Sequence, residues 1–141
     1  MIVLGIDPGR HTGLAVIEVV KGDLLLIGAD LGHPRTVPSR PDQIVIEKPV
    51  IYPHAKENPN DLITLAIQVG EYKEYFAGRA PIILVEARTW KGQVPKSVTE
   101  ARVCSRFPNA RALLDRHAPS LRHNVSDAIG LAWWLALRIK P

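Results

Sequence analysis

Residues 2 to 7 read IVLGID and are followed by Pro8-Gly9, and this stretch decides the fold. A short apolar run of this kind is typical of a buried β-strand, and the Pro-Gly pair ends it. Residues Thr12 to Val20 are again β-branched and apolar, and the turn Lys21-Gly22-Asp23 leads into a third run, Leu24 to Leu31. Three strands in close succession predict an antiparallel meander at the start of the chain.

Downstream of the meander, strands alternate with helices. Strands are predicted over Gln43 to Glu47 and Ile82 to Glu86, with loops over Gly32 to Asp42, Ile51 to Asn60 and Arg88 to Val94. Helices are predicted over Asp61 to Phe76, Ser97 to Cys104, Ala110 to His117 and Val125 to Ile139. Asn60 or Asp61 is expected to cap the first helix, and Gly78 to follow it. This order predicts an α/β fold with a mixed sheet flanked by helices.

Length and composition predict one compact domain over residues 1–141. The hydrophobic content of 46% suits an ordered core, and the net charge of +4 permits a polyanionic partner. The single cysteine, Cys104, excludes an internal disulfide and a Cys-rich metal site, and it fits a reducing cytoplasm. No apolar run approaches the ~20 residues that a bilayer span needs, so we expect no membrane association.

Three acidic residues are candidates for chemistry. Asp7 and Glu47 each end an apolar strand, and Asp127 lies near the start of the last predicted helix. Each also has an ordinary explanation: Asp7 as a turn cap, Glu47 as an exposed strand end, and Asp127 as an acid in a helix N-terminal turn capped by Asn124. Glu86 repeats the strand-end pattern, which weakens each acid as an isolated signal.

Carboxylates that meet at a sheet edge repel one another, and a divalent cation relieves this repulsion. Oxygen ligands of this kind favour Mg²⁺, with Mn²⁺ as a substitute, over zinc. A pair of such ions stabilises both the attacking water and the leaving oxygen of a phosphodiester. If the three acids meet, they therefore indicate a metal-dependent nuclease.

The order of the motifs resembles that of the RuvC-like Holliday junction resolvases of the RNase H-like superfamily. Gly5-Ile6-Asp7-Pro8-Gly9, followed by Thr12-Gly13, is similar to their first motif. Ile46-Glu47 is similar to the second, and Asn124-Val125-Ser126-Asp127-Ala128 to the last. The resemblance implies a five-stranded sheet of order 3-2-1-4-5, a homodimer, and Mg²⁺-dependent cutting of four-way DNA. It also implies that Asp7, Glu47, Asp127 and the residue at 124 hold the metal.

Two features depart from the family pattern. Asn124 stands where the family has a carboxylate, so either His123 supplies the ligand or Asn124 is an inactivating substitution. Between the third and fourth strands the family inserts a long helix, whereas this chain has only Gly32 to Asp42. About 11 residues can span the crossing, so we expect one face of the sheet to be less covered. The shortened chain looks more like a phage version than a bacterial one.

Several residues are candidates for contacts beyond the metal site. Expected DNA contacts are Arg10, Lys48, Tyr52, Lys91 and Lys96. Of these, Tyr52 either stacks on a junction base or packs on the following helix. Trp133 and Trp134 are interpreted as core or dimer contacts, and the helix from Asp61 to Phe76 as the dimer interface.

Three other functions share some of these sequence features. The first is a different RNase H-like nuclease, acting on RNA or an RNA/DNA hybrid. The second is a junction-binding module with a weakened site, which Asn124 would explain. The third is a sugar-kinase or actin-like ATPase, whose phosphate loop is similar, but 141 residues are too few for its two domains. No nucleotide cofactor is therefore expected.

Overall fold

A five-stranded mixed sheet lies at the centre of the structure, a computed structural model that describes residues 1–54 and 56–139. Its strands are β1 (Ile2–Asp7), β2 (Gly13–Val20), β3 (Asp23–Leu31), β4 (Gln43–Glu47) and β5 (Ile82–Val85). β1, β2 and β3 pair antiparallel, whereas β4 is parallel to β1, and β5 to β4. The order β3-β2-β1-β4-β5 confirms the predicted α/β class and the predicted sheet order 3-2-1-4-5.

Helices cover both faces of this sheet. They are α1 (Pro59–Phe76), α2 (Ala87–Trp90), α3 (Lys96–Arg106), α4 (Ala110–Leu114) and α5 (Arg122–Ala136), with single 3₁₀ turns at Pro34–Thr36 and Pro119–Leu121. None of the helices in residues 1–54 and 56–139 is both long and apolar enough to cross a membrane.

The predicted cap of α1 was wrong. The helix begins at Pro59, and the Asn58 side chain accepts a hydrogen bond from the Asn60 backbone N–H. A proline in the first turn loses no helical hydrogen bond, so it belongs inside the helix rather than before it. Gly78 follows the helix with φ +71°, a left-handed conformation that glycine adopts without strain.

Two further boundaries affect the candidate site. The segment predicted as the loop Arg88 to Val94 begins instead with the helical turn α2. The last helix begins at Arg122 rather than Val125, so Asn124 lies within its first turn and caps nothing. The capping explanation for Asn124 was therefore wrong. Tertiary packing decides where α5 starts, because no side chain caps its N-terminus.

The two faces of the sheet are covered unequally. On one face, α3, α4 and α5 pack against residues that include Val3, Val45 and Val85. On the other, a smaller core forms where α1 and Val37 pack against residues such as Leu4 and Ile44. The β3–β4 connection adds only a 3₁₀ turn there, which confirms the expected thinner cover.

Candidate active site

The alternation of side chains along the strands places Asp7 and Glu47 together. Ile6 pairs with Ile46 in the parallel β1–β4 ladder, so the next residues, Asp7 and Glu47, lie side by side at one sheet edge. Because successive side chains point to opposite faces, both acids share the face of Val3 and Val45, against which α5 packs.

The same alternation separates Glu86 from the site. Glu47 pairs with Val85 in the β4–β5 ladder, so the residue after Val85 belongs to the opposite face. Glu86 instead forms an ion pair with Lys48 at 3.6 Å, and both side chains are more than a third exposed. Glu86, which follows its strand in the same sequence pattern as Asp7 and Glu47, therefore lies apart from those two acids.

Asp127 lies near Asp7 and Glu47, and these three residues form the acid cluster. It comes close because α5 crosses the first two strands at very short range. A Cβ on Gly5 would lie 2.4 Å from the Ala128 carbonyl, and one on Gly13 would lie 1.9 Å from the Asn124 carbonyl. Only glycine permits such an approach. Since Gly13 pairs with Asp7 in the β1–β2 ladder, the first turns of α5 come to lie beside that carboxylate.

The three acids form an electrostatically coupled group. Asp7 is only 9% exposed and Asp127 only 4% exposed. Burial, followed by repulsion from Glu47 and Asp127, raises the pKa of Asp7 well above its ordinary value. Burial also raises the pKa of Glu47, against a hydrogen bond from Trp90 and the charge of Lys91. The fold therefore places the carboxylates of Asp7 and Glu47 in an environment that disfavours their charged forms.

Two neighbours in sequence, Trp90 and Lys91, hold the acids in place. The indole Nε1–H of Trp90 donates to Glu47 Oε2 at 2.6 Å. The ammonium of Lys91 donates to Asp127 Oδ2 at 2.7 Å and lies 5.0 Å from the centre of the Trp90 ring. Sequence reasoning placed both residues in a loop and missed the role of Trp90. The pattern of apolar and polar residues does not indicate that Trp90 contacts Glu47, because α2 is a single helical turn and too short to show a period.

The Trp90 ring lies against α5. A Cβ on Gly130 would come within 2.5 Å of Cζ3 of the indole, so the ring occupies the space that any larger residue would need. Gly130 lies one turn beyond Asp127 on the same helix. One helix therefore carries an acid of the cluster and also supports the donor to a second acid.

Asp127 has one oxygen that is satisfied and one that is not. Lys91 pairs with Oδ2, whereas the buried Oδ1 finds no hydrogen-bond partner among the described residues. Within those residues, no three His, Cys, Asp or Glu side chains are arranged closely enough to enclose a metal ion. The cluster thus has the oxygen chemistry that suits a divalent cation, with a lysine ammonium bonded to one of its members.

His123 and Asn124 lie in the first turn of α5 and are partly buried. Burial and the charge of Lys96 lower the pKa of His123, although Asp127 opposes this shift. The imidazole is thereby favoured in its neutral form, the form that ligates metals.

The residues expected to contact DNA have varied surroundings. Arg10 and Lys96 are exposed. Lys48 is paired with Glu86, and Lys91 forms a partly buried ion pair with Asp127. Tyr52 contacts the guanidinium of Arg88, which lies 4.4 Å from its ring centre.

Two solved structures of one resolvase share this architecture. RuvC of Thermus thermophilus in complex with a Holliday junction substrate matches with a TM-score of 0.61 and 19% identity, over 95% of this chain and 92% of that one. A second Thermus thermophilus RuvC structure matches with a TM-score of 0.56, 21% identity and the same coverage. The chain has the fold of the RuvC-type resolvases.

A viral structure extends the comparison. The Fowlpox virus resolvase, solved with its substrate Holliday junction DNA, matches with a TM-score of 0.60 and 13% identity, over 97% of this chain and 99% of that one. No protein-family model matches the sequence, and neither does any curated protein. The likeness to the RuvC structures and to the Fowlpox virus resolvase therefore lies in three-dimensional structure.

Proposed function

We propose that this chain is a divalent-metal-dependent endonuclease that resolves four-way DNA junctions. The observation that carries the proposal is the convergence of Asp7, Glu47 and Asp127 on one face of the sheet, in a fold shared with junction-bound resolvases. The raised pKa values of Asp7 and Glu47 indicate charge that a bound cation would compensate.

The carboxylate chemistry of the cluster suits Mg²⁺ or Mn²⁺, and the side chains would close around the ion from the arrangement seen here, in which Lys91 is bonded to Asp127. Asp7, Glu47 and Asp127 would hold it, and the unpartnered Asp127 Oδ1 is an oxygen that a cation would satisfy. Asn124 or the neutral His123 would complete the ligand set. When bound, the ion activates water and neutralises charge that develops on the phosphodiester. The protein itself positions Glu47 through the Trp90 indole N–H and keeps Asp7 in a nearly dry environment.

The proposed active form is a homodimer, because a two-fold junction cut twice requires two sites related by a two-fold axis. The outer face of α1 supports this assembly. Ile63 and Ile67 are 58% and 59% exposed, and Ala66 and Gly70 continue the same exposed stripe at helical spacing. A second copy of α1 would cover these apolar side chains.

Contacts with the DNA arms are proposed for exposed basic residues around the cluster. Arg10 follows Asp7 on the β1–β2 loop, Lys48 follows Glu47, and Lys96 begins α3. Tyr52, with Arg88 on its ring, would offer a stacking surface to a junction base.

Nicking of a synthetic four-way junction tests the proposal. In Mg²⁺ or Mn²⁺, the wild type is expected to make paired nicks in the junction in preference to linear duplex or an RNA/DNA hybrid. Asp7→Asn and Glu47→Gln are expected to lose at least about 100-fold in rate, since each removes a metal ligand. Glu86→Gln is the matched control, because Glu86 ends the neighbouring strand but lies outside the cluster. Preferential cutting of the hybrid would redirect the proposal to an RNA-processing nuclease.

A second candidate is a junction-binding module with weak or no catalysis. Asn124, a neutral amide in the first turn of α5, favours it, because the cluster then has three carboxylates rather than four. Asn124→Asp distinguishes the two candidates. A large gain in cleavage would show that the chain binds junctions with a weakened site, whereas efficient cutting by the wild type would exclude this second candidate.

A further inference from the structure

The ion pair between Lys91 and Asp127 lies inside the acid cluster rather than at its margin. The ammonium is 2.7 Å from Asp127 Oδ2, and the two side chains are only 18% and 6% exposed. Lys91 directly follows α2, whose last residue, Trp90, holds Glu47. Two consecutive residues thus contact two of the three proposed metal ligands.

The surroundings make this ion pair persistent. Partly buried ion pairs are screened much less by salt than exposed ones. The ammonium of Lys91 is bonded directly to Asp127, and the charges of Glu47 and Asp7 also act on it. It therefore supplies the positive charge that the cluster requires when no metal is bound.

We propose that Lys91 is a resident competitor of the metal: its ammonium pairs with Asp127 in the metal-free protein, and a divalent cation binds only after it leaves. This inference rests on the proposed metal site. The ammonium can leave by rotation about the bonds of its own side chain, without any movement of α5. Apparent metal affinity is then the intrinsic affinity reduced by the fraction of molecules in which Asp127 is free.

The first experiment measures Mn²⁺ binding to the full chain by titration calorimetry, without DNA. Lys91→Met nearly keeps the length of the side chain but removes its charge. We expect Mn²⁺ to bind this variant about tenfold more tightly, which corresponds to Asp127 being free of Lys91 in roughly one wild-type molecule in ten. Lys96→Met is the matched control. It removes one positive charge that acts on Asp7, but Lys96 is exposed and forms no ion pair among the described residues. Its effect on affinity is expected to be less than about threefold.

A second measurement uses the wild type, so that it does not depend on the stability of a variant. Acylation of lysines by acetic anhydride is followed by mass spectrometry, with and without Mn²⁺. Lys91 is expected to become several-fold more reactive when Mn²⁺ binds, whereas exposed Lys96 serves as the internal reference.

The outcomes separate this inference from the proposed function. If the wild type binds Mn²⁺ but Lys91→Met binds it no more tightly than Lys96→Met, and Lys91 gains no reactivity, then the competitor role is refuted and the metal site stands. If neither the wild type nor Lys91→Met binds Mn²⁺ at millimolar concentration, the metal site is refuted and this inference with it. Tighter binding by Lys91→Met alone, together with Mn²⁺-dependent acylation, supports the inference.

Discussion

Replacing Asp7 by Asn is expected to stabilise the metal-free protein while abolishing its proposed activity. Asp7 is 9% exposed, and burial together with Glu47 and Asp127 raises its pKa well above the ordinary value. The ionised carboxylate therefore costs more in the folded chain than in the unfolded chain. Asn has nearly the same shape and carries no charge, so the substitution removes this cost at neutral pH.

The size of the effect follows from the surroundings of the carboxyl group. Removing a buried charge beside two like charges is expected to add about 1–2 kcal/mol to the free energy of unfolding, a size typical of single stabilising substitutions. For a chain of this size, 1 kcal/mol corresponds to about 4 °C in Tm, so a rise of roughly 4–8 °C is expected in EDTA at pH 8. Glu86→Gln is the control and should change stability by less than about 0.5 kcal/mol, because Glu86 is 39% exposed.

The dependence on pH has a definite sign. A carboxyl whose folded pKa is raised binds more protons in the folded state, so stability falls as pH rises from the unfolded value of about 3.9 through the higher folded value. The advantage of Asp7→Asn should therefore be small near pH 4 and largest above the raised pKa of Asp7. Because Glu47 also has a raised pKa, part of the pH dependence is expected to remain in the variant.

Bound metal is expected to reverse the order of stability between the wild type and Asp7→Asn. A ligand at ten times its Kd stabilises the folded state by about 1.4 kcal/mol, and only the wild type keeps all three carboxylates to bind it. Thermal unfolding monitored by circular dichroism, with EDTA or Mg²⁺ across pH 4–8, measures each of these terms. An Asp7→Asn variant that is less stable than the wild type at pH 8 in EDTA would refute the electrostatic reasoning.

Three further predictions concern the support of the cluster and its assembly. Trp90→Phe keeps the ring but removes the donor to Glu47, so Mn²⁺ affinity measured by calorimetry should fall about 10–100-fold, and unchanged affinity would contradict the role of the indole N–H. Gly130→Ala would bring a Cβ within 2.5 Å of the Trp90 ring and should reproduce that loss, although alanine in a helix is otherwise favoured by about 1 kcal/mol; a stabilised variant with normal Mn²⁺ affinity would contradict it. The pair Ile63→Lys and Ile67→Lys should yield monomers in analytical ultracentrifugation while Mn²⁺ binding persists, and a variant that remains dimeric would exclude the α1 face as the interface.

Much of the fold could be predicted because local patterns and global topology agree. The apolar runs, each of the length of a strand and separated by turn residues, predicted all five strands to within one residue. The helix boundaries were less predictable. Pro59 was assigned to a loop although it opens α1, and α2 is too short to show a period of its own.

The acids show where sequence reasoning reaches its limit. Asp7, Glu47 and Glu86 have the same local pattern, and only the register between β4 and β5 separates Glu86 from the other two. Trp90 had no sequence signal as a partner of Glu47, because the two residues are 43 positions apart and a polar contact of that kind depends on where α2 ends. The roles proposed for His123 and Asn124 stay predictions.

The sequence by itself determined the strand pattern, the order of the three acidic motifs and the glycines at positions 5 and 13. Only the tertiary structure decided what those features mean. It shows that Gly5 and Gly13 allow α5 to pack in direct contact with β1 and β2. It also shows that Lys91 forms an ion pair with Asp127 inside the cluster. The physical reason is that charge burial and close backbone packing depend on distances between elements, which a linear pattern of residue types does not contain.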